Sequence, residues 1–231
     1  MPLIDIADVS HTYAAARRPV LRDLTVRLDE QRIGVIGANG SGKSTFARLL
    51  NGLVLPTSGR VSIDGHDTRR DGKQVRRLVG FCFTDPDAQI VMPTVAEDVA
   101  FSLRQHRLPK QAVANRVTDT LARFGLADHA DHPAHLLSGG QKQLLALASV
   151  LVTEPKLLVL DEPTTLLDLR NARQIMALIA RLDEQVVLLT HHLDLLSGFD
   201  RVLVFDEGRI VADAPPREAI DHYQRLMRPS E

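Results

Sequence analysis

The feature that most constrains this chain is an abrupt change of character at Gly37. Residues 32–36, Arg-Ile-Gly-Val-Ile, form a short apolar run, and it ends in Gly37-Ala38-Asn39-Gly40-Ser41-Gly42-Lys43-Ser44-Thr45. The glycines break the strand, and residues 43–51 then carry a helical pattern that stops at Gly52. The pattern is G-x-x-x-x-G-K-[ST], and its place between a strand and a helix is the setting in which it wraps phosphate. Glycines let successive backbone N–H groups turn inward, the helix N-terminus adds a favourable dipole, and a lysine reaches the outer phosphates. Gly37, Asn39, Gly40, Ser41, Gly42, Lys43, Ser44 and Thr45 are therefore candidate nucleotide-binding residues. Lys43 is also a catalytic candidate and the Ser44 hydroxyl a Mg²⁺ ligand. A glycine-rich turn with a chance lysine is the plain alternative, and the register of strand, loop and helix weighs against it.

The remainder of the chain supports an α/β domain. Residues 3–6 and 24–28 alternate apolar and polar, as half-buried antiparallel strands do. Residues 61–63 and 78–83 read as further strands, and residues 94–135 carry helical patterns broken by Pro109, Gly125 and Pro133. After Gly139 the rhythm is helix 141–152, strand 157–160, helix 168–182, strand 186–189, strands 202–205 and 209–211, and helix 216–227. Strands alternating with helices predict a parallel sheet covered on both faces, with a helical lobe inserted in the middle.

Composition excludes several classes. With 28 Lys+Arg against 29 Asp+Glu, the net charge of -1 lacks the one-signed field of a general nucleic-acid binder. One cysteine, Cys82, permits no internal disulfide and fits a reducing compartment. The start, MPLIDIADVS, has neither a charged region nor an apolar core of a secretory signal. The longest apolar stretch, residues 144–152, falls short of the about 20 residues of a membrane span.

Two further motifs follow. Leu157-Leu158-Val159-Leu160-Asp161-Glu162 sets two acids at the C-terminal end of a strand, the edge where open α/β sheets bind ligands. Asp161 is placed to hold Mg²⁺ beside Ser44, and Glu162 to act as general base toward water. A helix N-cap with a first-turn acid is the alternative, and it loses weight beside a phosphate loop. Leu137-Ser138-Gly139-Gly140-Gln141 opens a helix and makes a second anion-binding N-terminus. One phosphate loop cannot use both, so the second is expected to serve a nucleotide held by another subunit.

Together these motifs closely resemble the ATP-binding cassette of ABC transporters, over nearly the whole chain. The resemblance implies a P-loop NTPase core with an antiparallel β subdomain and an inserted helical subdomain, in one domain spanning residues 1–231. The core would take residues 1–84 and 139–231, and the helical signature subdomain residues 85–138. It implies ATP and Mg²⁺ as ligands and a second ATPase subunit, in a homodimer whose phosphate loops face the partner's Ser138 and Gly140. Tyr13 resembles the aromatic that stacks on adenine, with ordinary strand-end packing as the lesser alternative. Asp168 resembles an aspartate that bridges the subunits, and it also suits the N-cap of its helix. His191 looks like the switch histidine that contacts the γ-phosphate, with His192 where an aspartate usually follows. Thr84 stands where the family has a glutamine that senses Mg²⁺ and water, which predicts slow or partner-dependent hydrolysis. Gln89 is not expected to substitute for it.

Thr84-Asp85-Pro86-Asp87-Ala88-Gln89-Ile90 and Thr94-Val95-Ala96-Glu97-Asp98-Val99-Ala100-Phe101 resemble the ATPases of energy-coupling-factor importers. These work with a transmembrane coupling protein, whose coupling helices enter a groove beside this segment, and a substrate-binding membrane protein. The chain is thus expected at the cytoplasmic face of the membrane. The short C-terminus looks more like the dedicated biotin-transporter ATPase than the cobalt, nickel or multi-vitamin versions, which are the alternatives. A soluble ABC-type ATPase is a rival, but the chain has no heptad tract and a single cassette. A non-catalytic nucleotide sensor is another, against which Lys43, Asp161, Glu162 and His191 all count. His129, His132 and His135 suggest a metal, but Pro133 breaks any shared helical face. The basic run Arg69, Arg70, Lys73, Arg76 and Arg77 reads as a solvated face, and Cys82 as an inert buried thiol.

Overall fold

The computed structural model describes residues 1–14 and 18–228. In chain order the elements are β1 (Ile4–His11), β2 (Leu21–Leu28), β3 (Arg32–Gly37), α1 (Lys43–Leu50), β4 (Ser58–Ile63), β5 (His66–Asp67), α2 (Gly72–Leu78), β6 (Val79–Cys82) and α3 (Val95–Ser102). There follow α4 (Lys110–Arg123), α5 (Gly139–Leu151), β7 (Leu157–Asp161), α6 (Leu169–Ile179), β8 (Gln185–Leu189), β9 (Arg201–Asp206), β10 (Arg209–Ala214) and α7 (Pro216–Leu226). They fall into two compact units. The first comprises Met1–Val79, Lys156–Glu162 and Leu182–Glu231, and the second Gly80–Pro155 and Pro163–Arg181. The second unit is larger than the expected helical lobe of 85–138, because α5 packs against α3 and carries its signature end with it.

The first unit holds two sheets. One is antiparallel, in the order β2-β1-β4-β5. In the other the strands β10-β9-β3-β8-β7 lie side by side; β9, β3, β8 and β7 run parallel, and β10 pairs antiparallel with β9. Both faces of the parallel strands are covered, so β3, β7 and β8 are buried at every position. Phe46 of α1 and Phe205 of β9 meet with ring centroids 5.0 Å apart and anchor this core. The buried Arg32 is tolerated because its guanidinium donates to the carbonyls of Leu182 and Glu184. The register aligns the strand ends: Val35 and Asp161 both lie opposite Leu189. Gly37, Asp161 and His191 consequently emerge at one edge, the C-terminal edge of the sheet.

The second unit is helical. Each of three helices begins on a side-chain cap. Thr94 and Glu97 form a capping box on α3, Ser138 and Gln141 another on α5, and Asp168 accepts from Asn171 N at the start of α6. Asp98, buried in α3, accepts from Val91 N, Met92 N and the Ser149 hydroxyl, and so ties α3 to α5 and to the loop before it. Among the described residues no helix is long and apolar enough to cross a membrane.

Candidate functional site

At the sheet edge of the first unit the glycine-rich loop adopts the conformation that only glycines allow. A Cβ at Gly37 would stand 2.3 Å from the Phe205 carbonyl oxygen, and Gly42, which caps α1, has φ 103°. Gly42 offers no side chain, so the first amides of α1 are left for a ligand. Asn39 and Gly40 form the exposed tip, whereas Ser41, Lys43 and Thr45 are buried and Ser44 half-buried. The Ser41 hydroxyl is buried without a hydrogen-bond partner among the described residues. Lys43 Nζ donates back into the loop, to the Gly37 carbonyl at 2.8 Å and the Ala38 carbonyl at 3.0 Å. Burial pushes its ammonium below the ordinary lysine range, opposed by the charges of Glu162 and Asp161.

The two acids at the end of β7 are put to different uses. Asp161 is 3% exposed and accepts from the Ser44 hydroxyl at 3.1 Å. Burial raises its carboxyl above the usual range, and the Ser44 bond works against that rise. A hydroxyl and one carboxylate suit Mg²⁺, which takes few protein oxygens when phosphates supply others. Glu162 turns outward on a left-handed backbone, φ 55°, with its N–H bonded to the Leu189 carbonyl. Its Oε2 lies 2.7 Å from His191 Nδ1 and 3.3 Å from His191 N. The His192 ring stacks behind His191, with centroids 4.1 Å apart. Tyr13 also reaches this site: its hydroxyl lies 3.2 Å from Thr45 Oγ1, and its ring meets His11 edge-on.

In the second unit the signature residues and Asp168 come together. Ser138 caps α5, and Gly140 faces Asn171, whose side chain a Cβ at Gly140 would meet at 2.7 Å. Asn171 in turn bonds Asp168 twice, through its backbone N–H at 2.8 Å and its amide at 3.0 Å. The N-cap reading of Asp168 thus holds whatever else the residue does.

The ABC transporter family profile matches residues 21–165. The chain belongs to the ABC transporter family. It is 51% identical over 90% of its length to the biotin transport ATP-binding protein BioM of Rhizobium etli, covering 93% of that protein. It is 38% identical to the energy-coupling factor transporter ATP-binding protein EcfA1 of Caldanaerobacter subterraneus, covering 98% of this chain and 85% of that one. Its fold matches the solved structure of CbiO1 from Clostridium perfringens, described as part of the ABC transporter complex CbiONQ. That match has a TM-score of 0.84 and 32% identity, and covers 96% of this chain and 92% of the other. The chain is an ABC ATPase that binds ATP, of the energy-coupling and biotin transporter group.

Against that family background several residues carry messages the sequence did not. Tyr223 of α7 has its phenol pushed up by burial first and by the charge of Glu162 second. Asn171, which no motif marks, and His129, weighed above only as part of a metal pattern, both meet the signature helix. Thr84 is half-buried. The Gln89 amide is engaged elsewhere in the second unit, accepting from Phe83 N and donating to the Ala146 carbonyl. Cys82 is wholly buried, its thiol pushed up to about 12 by desolvation. Among the described residues no group of three His, Cys, Asp or Glu side chains is arranged to hold a metal ion.

Proposed function

We propose that the chain is the ATP-hydrolysing subunit of an energy-coupling-factor importer whose cargo is biotin, acting as a homodimer at the cytoplasmic face of the membrane. The observation that carries the catalytic part is the pairing of Glu162 with His191 at 2.7 Å, beside the Ser44–Asp161 pair.

The loop amides from Gly37 to Thr45 and the Lys43 ammonium hold the phosphates of ATP, and Tyr13 stacks on the adenine. Ser44 and Asp161 would hold Mg²⁺, which supplies positive charge against the phosphate oxygens. The buried Asp161 carboxyl, disfavoured as an anion by its surroundings, fits such a cation. His191 orients Glu162, and Glu162 accepts a proton from the attacking water. The water oxygen bonds to the γ-phosphorus, the bond to the β–γ bridging oxygen breaks, and ADP and phosphate leave. Ser138 and Gly140 of a second copy close over the γ-phosphate, with Asp168 bridging the two copies. Opening and closing then moves a transmembrane coupling protein, which works with a substrate-binding membrane protein.

Biotin is favoured over cobalt, nickel or another vitamin because identity to the two BioM proteins is 51% and 45%, against 43% and 38% to EcfA1 proteins and 32% to CbiO1. ATPase activity of the purified chain, measured against its own concentration with Mg²⁺, tests the catalytic part. Specific activity should rise with concentration and vanish in Glu162→Gln; a flat rate would remove the homodimer. Reconstitution with a coupling protein and a biotin-binding membrane protein tests the cargo. ATP-dependent biotin uptake is expected, and hydrolysis without uptake would reject biotin.

A further inference from the structure

The segment in front of the signature helix makes a contact that the motif itself does not require. His129 sits in a short turn, Ala127–His129, and its Nε2 lies 3.0 Å from Gln141 Nε2. Gln141 is the side chain that closes the capping box on Ser138. Its amide has one admissible orientation. The Ser138 backbone N–H donates to Gln141 Oε1 at 2.9 Å, so the oxygen faces the serine and the NH₂ group faces His129. An NH₂ group only donates, so His129 Nε2 must accept, with the ring proton on Nδ1. Flipping the amide would set donor against donor at Ser138. His129 Nδ1 is itself buried and meets no hydrogen-bond partner among the described residues, so Gln141 is the polar contact that the ring makes there.

We propose that His129 is a positioning residue for ATP hydrolysis. It accepts from Gln141, Gln141 accepts from Ser138 N, and the serine hydroxyl in turn takes the Gln141 backbone N–H at 3.3 Å. The chain of bonds fixes the exposed Ser138 in the orientation it presents to nucleotide on a second copy. The inference rests on the reading that Ser138 meets that nucleotide. A signature helix without this support keeps its fold but presents a looser serine, and the effect falls on turnover rather than on the chain's own grip on ATP.

Three variants of the full chain separate the bond from mere packing. His129→Gln keeps an acceptor at the reach of Nε2, His129→Leu keeps bulk without an acceptor, and His129→Lys brings a donor against a donor. The readouts are kcat, KM, and ATP affinity measured on dilute chain. His129→Gln is expected to retain wild-type kcat, His129→Leu to lower it about three- to ten-fold, the worth of one hydrogen bond, and His129→Lys to lower it further. Affinity on dilute chain should stay the same in all three. Wild-type turnover in His129→Leu, equal losses in His129→Gln and His129→Leu, or a joint fall of affinity and thermal midpoint would each overturn the proposal. Ser138→Ala distinguishes the two levels. If it leaves kcat unchanged, the reading of the signature fails and the inference falls with it. If it lowers kcat while His129→Leu does not, that reading survives and the inference is wrong.

Discussion

The phosphate-loop end of the first unit and the signature end of the second both present a helix N-terminus, yet they treat their polar groups in opposite ways. In the first, charged groups are buried. Lys43 and Asp161 are each shifted toward neutrality by burial, the Ser41 hydroxyl has no partner among the described residues, and α1 has no side-chain cap. In the second, Ser138 and Gln141 satisfy each other in a closed box, and Ser138 is exposed. The first arrangement leaves the Ser41 hydroxyl and the α1 amides for an anion. The second closes its cap on itself and, in the proposed function, is a face to be met. A pocket that binds on its own and a face that completes it make different demands on a mutation.

The sharpest test of that contrast is Glu162→Gln. Loss of the proposed general base should lower turnover by at least about 100-fold while dilute chain still binds ATP. Lys43→Ala comes next: removing a charge-assisted contact should weaken ATP binding about 10- to 100-fold at any protein concentration, as equilibrium titration would read. Gly140→Ala should cost about ten-fold in turnover, because the new methyl group collides with the anchored Asn171. Its ATP affinity on dilute chain should not move, and a fall there would erase the distinction between the two ends. The smallest effect concerns stability. Burial raises the Asp161 carboxyl, so the folded, ligand-free chain binds that proton more readily than the unfolded one. The stability this confers is present at low pH and lost as pH rises through the raised value. Asp161→Asn should therefore raise the thermal midpoint of the ligand-free chain at neutral pH, and abolish the further rise produced by Mg²⁺ and ATP in wild type. A lower midpoint in the variant would mean the carboxylate is better paired than its burial suggests.

What was legible in the sequence is what is local. The loop from Gly37 to Ser44, the acids after β7 and the glycines before α5 are each encoded in consecutive residues, because each depends on backbone conformation at one place. The first strand runs on to His11 instead of stopping near Ile6, since Asp8 at φ 50° interrupts the alternation without ending the pairing. Helix α2 was hidden in the basic run for a similar reason. It buries only Val75, and one buried position gives no periodicity to detect. The larger second unit was not foreseeable, because an apolar stripe on α5 does not say which helix covers it. His129 and Asn171 lie beyond reach for the same cause: their partners are 12 and 31 residues away in the chain.

The contact of Gly140 with Asn171, and of Asn171 with Asp168, also sets how this region can vary. The three positions make a single unit of substitution. A larger residue at 140 becomes acceptable only with a smaller one at 171, and a smaller one at 171 keeps the backbone cap on Asp168 but loses the amide bond that holds its second oxygen. Changes there should be strongly non-additive, so that a library randomising one position at a time would record three intolerant sites, while paired replacement would recover functional sequences that no single step reaches.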